Sequence, residues 1–562
     1  MPETEAGSQP ANAKASGTAP RFVGHAVLVS VLTLVSRVTG LIRDAVLFAG
    51  FGRGPIASAF LIGFMIPNLF RRLFGEGALT AAFIPAYAEL LRRDPVLARR
   101  FASLCIAALL VVTSAITLVG EAALLWMLRR AGLSDDSLLA VRLTMLMLPY
   151  MPMICLVALI GGLLQVHDRF GPAAVAPIIL NLVMIAAIVL ATIWMNQTRN
   201  EAYRDAAVVD AIVFVSTSVL LAGLLQLIWQ VVSLFQVQGL TLRFAGTVEP
   251  FKKMLVVLGP MVLGLAVFQI NAALDTLLAW GLAPKEGGPE VLTMFGRRLA
   301  YPIDDAGQVV ALAGAQRLYQ FPLGVFGIAI ATAIFPALAH AAADRTKAGR
   351  AGFRETLQHG LRLSFFIGLP ASLGLILVRV PLTRVLFEHG RFELEDSLRV
   401  AVILAGYASA VWAYSMTHIL TRAFYAVGDS RTPLRVSMGM VVFNLALNLT
   451  LIWPLGAAGL AWSTAISAAC QVLILLSLVR RHVDRPVDTT VLKGWLRTVL
   501  LSAVMTVAVV PLLVRYPAHQ LSWLGCMSLL AGMVLLGAAV VFLGARLTGA
   551  EELRWLRRCR SG

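Results

Sequence analysis

Apolar stretches long enough to cross a lipid bilayer follow one another along almost the whole chain. They fall at 22–50, 56–90, 101–128, 138–166, 173–195, 208–233, 254–282, 308–342, 355–380, 396–426, 434–453, 457–480, 493–514 and 520–547. A spanning helix needs about 20 mostly apolar residues, and each of the fourteen stretches reaches or nearly reaches that length. Only 14% of the 562 residues are charged, against about a quarter in a soluble domain, and the mean hydropathy is +0.81. The connections are short and leave little room for a folded soluble domain. The expected fold class is therefore all-α: a polytopic membrane protein of about 14 transmembrane helices.

A net charge of +17 would suggest nucleic acid in a soluble protein. Here it follows the rule that cytoplasmic loops collect Lys and Arg, and no nucleic-acid partner is expected. With the N-terminus inside, the inner connections include LRRDPVLARR, LRFAGTVEPFKK, DRTKAGRAGFR, GDSRTPLR and RRHVDRP. These hold about twice the Lys and Arg of the outer ones, which places both termini in the cytoplasm. The first 20 residues are polar and rich in Ala, Gly, Pro and Ser, so 1–21 is expected to be a disordered tail without a cleavable signal. Residues 549–562 read as a basic cytoplasmic tail. The five cysteines are scattered, with no metal-ligand spacing.

Two internal echoes suggest a repeat. ALTAAFIPAYAE (78–89) returns as AIATAIFPALAH (329–340), and VHDRFGP (166–172) returns as VGDSRTP (427–433). Each offset is about six spans, as expected of two parallel six-helix lobes with a site between them. The N-lobe would be 22–233, the C-lobe 254–480, and the two helices in 493–548 an addition.

Charged residues inside spans are rare and usually face a bundle interior or a water-filled cavity. VSRVTGLIRDAV carries Arg37, Arg43 and Asp44; MIPNLFRRLFGEGA carries Arg71, Arg72 and Glu76; AGAQRLYQFPLG carries Gln316, Arg317 and Gln320. Arg37 lies about 20 Å into its helix at a rise of about 1.5 Å per residue, close to mid-depth. The second apolar stretch is too long for one straight span, and Pro67, Gly75, Gly77 and Pro85 mark where it should bend. Arg72 is either a cavity residue or the i,i+4 partner of Glu76, and Arg43 with Asp44 could be an interfacial pair. Arg37, Arg71 and Arg317 have no acidic neighbour in good helical register and point to a cavity. A cavity with surplus guanidinium suits phosphate or carboxylate, which Arg binds bidentately.

SRVTGLIRD, IPNLFRRLFGEGALTAAFIPAYAE and AQRLYQFPLGVFGIAIATAIFPAL resemble the MurJ (MviN) lipid II flippases of the multidrug/oligosaccharidyl-lipid/polysaccharide exporter superfamily. The resemblance covers residues 22–550. It implies two six-helix lobes around a V-shaped central cavity, with a lipid-tail groove at the last two helices. The implied activity is alternating-access transport of undecaprenyl-diphosphate-linked peptidoglycan precursor to the outer leaflet of the bacterial inner membrane. Lipid II, membrane lipids and the cell-wall synthesis machinery are the implied partners. Arg37, Arg43, Arg71 and Arg317 match the family's substrate-binding arginines; Asp44, Arg72, Glu76, Gln316 and Gln320 would support or gate the cavity. Asp275, Asn444, Asn448 and Thr464 match a Na+ site known in some relatives, with an interhelical hydrogen-bond cluster as the alternative. No other cofactor is implied, and coupling to Na+ or to the membrane potential is expected.

The chain departs from the family pattern where Ser58 and Gln316 replace aspartates, which puts an acidic outer gate pairing in doubt. The 281–308 connection is also longer than usual. The same fold could carry another lipid-linked oligosaccharide, or a drug or cation in exchange for ions. An enzyme acting on such lipids would need a catalytic carboxylate cluster, for which only Glu393, Glu395 and Asp396 offer themselves. A solvated loop face is the simpler reading of those three, and no enzyme activity is expected.

Overall fold

The computed structural model describes residues 19–75, 78–130, 132–197, 204–294 and 296–558. The first part of the chain runs α1 (Ala19–Phe51), α2 (Pro55–Phe70), α3 (Ala78–Arg93), α4 (Pro95–Arg130), α5 (Asp135–Met147), α6 (Tyr150–Val166), α7 (Gly171–Gln197) and α8 (Arg204–Phe235). The second begins with α9 (Val248–Gly281), a hairpin of β1 (Leu292–Met294) and β2 (Arg297–Leu299), and α10 (Gln308–Pro322). It continues through α11 (Ile328–Ala343), α12 (Lys347–Phe387), α13 (Leu394–Ala408), α14 (Val411–Ala426), α15 (Arg431–Leu455) and α16 (Ala457–Val479). Then come α17 (Thr489–Arg515), α18 (Trp523–Leu547) and a short α19 (Glu551–Arg558).

Among the described residues, 10 helices are long and apolar enough to span a bilayer, or 11 if α5 and α6, bent by 42°, form one span. The difference from fourteen apolar stretches falls on α1, α9 and the pair α10–α11. These carry Arg37, Arg43 and Asp44, then Asp275, then Arg317.

The two long stretches that the first echo relates are broken in the same way. A π-turn at Arg71–Gly75 joins α2 to α3, and another at Leu323–Gly327 joins α10 to α11. Pro67 and Pro322 precede them; a proline lacks the donor and crowds the carbonyl one turn back, which loosens the ladder. The second echo also has a common geometry. Arg169 N donates to Leu164 O and Asp429 N to Phe424 O, both at 2.9 Å. Asp168 and Gly428 before them take φ of 60° and 81°, one residue out of step with the alignment of Pro172 and Pro433.

At one end of the bundle, here the far end, α1 meets the turn between α12 and α13. Phe48 packs against Phe387 and Phe392 with centroids 5.1 and 5.4 Å away, and all three rings are buried. Arg391 N donates to Ala49 O at 2.8 Å. Gly52 has φ +69°, and a Cβ there would meet Arg391 O at 2.9 Å, so only glycine lets these backbones approach.

Near the opposite end α19 docks on α12. Buried Arg362 binds Glu552 through Nε at 2.9 Å and Nη2 at 2.8 Å, and Glu551 through Nη1 at 3.0 Å. Its guanidinium lies 4.8 Å from the Trp555 ring centre, and the His359 ring centre is 4.2 Å from the same ring. Part of the basic tail is thus a packed helix. Trp555→Ala should weaken the docking by about 1 kcal/mol through loss of the cation–π contact, seen as faster proteolysis beyond Ala550. Cleavage at the wild-type rate would show that the ring contributes nothing.

Candidate functional site

Asp44 is the centre of the charged cluster. Its Oδ1 accepts from Arg43 Nε at 2.9 Å and Nη2 at 2.6 Å, and its Oδ2 accepts from Arg317 Nε. The Asp44 and Arg43 side chains are 9% and 8% exposed, whereas Arg317 is 39% exposed. One carboxylate on α1 therefore joins a guanidinium of its own helix to one on α10, in the other part of the chain. Arg43 Nη1 also donates to Asn181 Oδ1 at 3.1 Å, and Asn181 Nδ2 donates to Ser36 O at 3.1 Å and Thr39 Oγ1 at 3.0 Å. The Phe64 ring centre lies 5.9 Å from Arg43. Sequence reasoning passed over Asn181; its only signal is a lone amide in the otherwise apolar run PIILNLVMI.

Of the other predicted arginines, Arg71 lies close to this bridge and Arg37 and Arg72 reach other partners. Arg71 and Arg317 are both near enough to act on the Arg43 charge, and Arg71 Nε is held by Asn68 Oδ1 at 3.0 Å. Arg37 is exposed, and its guanidinium lies against the backbone of Gly324, where a Cβ would collide with it. Arg72 Nη1 donates to Gln269 Oε1 on α9 at 3.2 Å, so it reaches across to the second part of the chain. Glu76 lies outside the described residues.

Gln316, beside Arg317, turns the other way. Its Nε2 donates to Tyr407 Oη at 3.1 Å, and Tyr407 Oη donates to Asp275 Oδ2 at 3.3 Å. Gln320, one turn on, is half-buried. Around Asp275 the three remaining predicted residues converge. Asn448 Nδ2 donates to Asp275 Oδ1 at 2.7 Å and to Asn444 Oδ1 at 3.1 Å. Thr464 Oγ1 donates to Asp275 Oδ2 at 3.2 Å and accepts from Asn444 Nδ2 at 3.3 Å. Asn448 Oδ1 is buried with no hydrogen-bond partner among the described residues. A cavity of about 140 Å³ opens beside the cluster, lined by Asp275, Asn444, Thr464 and the hydroxyl-bearing rings of Tyr319, Tyr407 and Tyr414. Carboxylate, amide and hydroxyl oxygens form a donor set suited to a hard cation. The tyrosines were not foreseen; an isolated Tyr in an apolar helix is their only sequence signal.

The acidic residues of RFELEDS have other work. Glu393 and Asp396 form a capping box at the start of α13, and Glu395 Oε1 pairs with Arg399 Nη2 at 2.8 Å. Ser58 is buried and donates to Ala306 O at 2.8 Å.

A family model described as lipid II flippase MurJ matches residues 48–534. A probable lipid II flippase MurJ of Rhizobium tropici is 31% identical over 547 residues, covering 95% of each chain. The lipid II flippase MurJ of Burkholderia cenocepacia is 29% identical over 92% of this chain and 95% of its own length. Among solved structures, a lipid II flippase MurJ in an inward closed conformation superposes with a TM-score of 0.73 at 22% identity, over 94% of this chain and all of that one. An inward-facing multidrug transporter of the MATE family gives 0.64 at 16% identity, over 83% of this chain and 99% of that one.

Proposed function

The chain belongs to the lipid II flippase MurJ family, and from that premise we propose that it carries lipid II from the inner to the outer leaflet of a bacterial cytoplasmic membrane. It acts as a transporter and not as an enzyme. Both termini are cytoplasmic, so the far end of the bundle faces outward. The observation that carries the reading is the Arg43–Asp44–Arg317 bridge, flanked by Arg37 and Arg71. Two guanidiniums on one carboxylate, with Arg71 close by, suit a diphosphate far better than a cationic drug.

The same bridge supplies a way for cargo to move the protein. Arg317 is tied to Asp44 on one side and open on the other. A diphosphate entering from the cytoplasmic side competes with Asp44 for that guanidinium and loosens a link between the two halves. A ligand shifts a conformational equilibrium only through such differential contacts. The polyprenyl tail stays in lipid, along the groove of α17 and α18, while the halves rock about the head group. Surplus arginine also lets the membrane potential contribute, at roughly 2.3 kcal/mol per charge per 100 mV. Asp275, Asn444, Asn448 and Thr464 would hold Na+, whose charge would offset the buried carboxylate.

Complementation of a conditional flippase-null bacterium tests the reading. The wild-type chain should restore growth and outer-leaflet lipid II, and Arg37→Ala or Arg71→Ala should not. Depolarising the rescued cells should lower outer-leaflet lipid II. No rescue by the wild-type chain would overturn the cargo, rescue by both variants the arginine site, and indifference to depolarisation the voltage coupling.

A further inference from the structure

We propose that Arg53 is the latch of a gate at the far end of the bundle, and that the 281–308 connection is the strap that brings it its counter-charge. The proposal extends the alternating-access reading above, which requires the far end to open and close.

Arg53 follows directly on α1 and its side chain is only 9% exposed. Nη1 binds Asp305 Oδ1 at 2.5 Å, and Nε binds Asp396 Oδ1 at 2.8 Å. The two carboxylates come from different elements: Asp305 from the strap between α9 and α10, Asp396 from the first turn of α13. One side chain thus holds the end of α1 to two segments of the other half. Arg399 on α13 completes the cluster through Asp304 Oδ2 at 2.9 Å and Asp305 Oδ2 at 3.6 Å. Asp305 is therefore shared by a guanidinium from each half.

The strap, whose ends run into α9 and α10, is anchored on the first half. At its start Glu286 N donates to Asp136 Oδ2 at 3.1 Å, and Asp135 N donates to Glu286 O at 3.2 Å, which ties it to the start of α5. At its end Ala306 O accepts from Ser58, and Gly307 lies so close to Arg53 O that a Cβ would collide with it. The added length of the connection is thus used to cross the end of the bundle.

The placement suits a contact that must break and re-form in every cycle. Asp305 and Asp396 are 38% and 16% exposed, so water reaches them as the pair separates and the charges are rehydrated cheaply. The buried Phe48, Phe387 and Phe392 rings beneath give the seal its water-tightness but no such reversibility in register.

The test uses the full chain in lipid nanodiscs, with its native cysteines replaced and spin labels at exposed Asn196, at the end of α7, and Gln520, between α17 and α18. Arg53→Ala should shift the distance distribution toward longer values, with the open-to-closed ratio raised about tenfold. The charge-exchanged pair Arg53→Asp with Asp305→Arg should bring it back. An unchanged distribution in Arg53→Ala, or an exchanged pair as open as the single variant, would overturn the latch. In a second arm, Arg53→Cys with Asp305→Cys should stop lipid II transport when oxidised and resume it on reduction; transport through the cross-linked protein would overturn it. The distances are read without lipid II, so they test the gate even if the cargo is a different lipid.

Discussion

Asp44→Asn should abolish lipid II transport and lower the melting temperature, although the amide has nearly the shape of the carboxylate. The carboxylate accepts from Arg43 and Arg317 at once. An Asn offers one acceptor oxygen and turns two donors toward a guanidinium that is itself only a donor. Removing one partner of a buried ion pair leaves the other charge uncompensated, at about 3–5 kcal/mol. Here that penalty falls on Arg43, which is 8% exposed. Arg317, at 39%, can turn to water and loses much less. Asp44→Asn should therefore both destabilise α1 and unlink α10, whereas Arg317→Ala should leave the Arg43–Asp44 pair intact, melt close to wild type and still fail to transport. Melting curves in detergent and outer-leaflet lipid II in the complemented strain separate the two effects. Wild-type transport by Asp44→Asn would remove the bridge from the mechanism, and wild-type transport by Arg317→Ala would remove the C-lobe cation from the site.

What the sequence showed and hid divides along chain separation. Proline and glycine act on their own backbone, so the break after Pro67 was legible from FMIPNLFRRLFG alone. The intramembrane arginines stood out for a similar reason, because a guanidinium in an apolar run is conspicuous wherever it folds. Their partners did not. Arg317 lacks an acid nearby in sequence, yet it binds one 273 residues away, and Arg53 binds one 252 residues away. The 281–308 connection made no sense until folding set Asp305 beside Arg53. Arg72, balanced between a cavity role and a local pair, is hydrogen-bonded to Gln269 on another helix. Polar residues with no charge, Asn181 and Tyr407 above all, were the least visible, since single amides and tyrosines are common in apolar helices and only geometry distinguishes these.

Asp275→Ala should remove any dependence of the protein on Na+. A cation that binds only the folded protein stabilises it by RT ln(1 + [Na+]/Kd), or about 1.4 kcal/mol at ten times Kd. The wild-type protein should therefore melt higher in NaCl than in choline chloride of equal ionic strength, and transport should rise with Na+. The competing view is that Asp275, Asn444, Asn448 and Thr464 only tie α9, α15 and α16 together by hydrogen bonds. It predicts that Asp275→Ala lowers the melting temperature equally in both salts. Asn448→Ala separates the two views further. It removes a donor to Asp275 at 2.7 Å and with it the buried Oδ1 that no described residue satisfies. If that oxygen is a cation ligand, the variant weakens the Na+ effect beyond the loss of one hydrogen bond, which is about 1 kcal/mol. Equal losses in Na+ and choline, for both variants, would reduce the cluster to a helix tie and leave the membrane potential as the source of coupling.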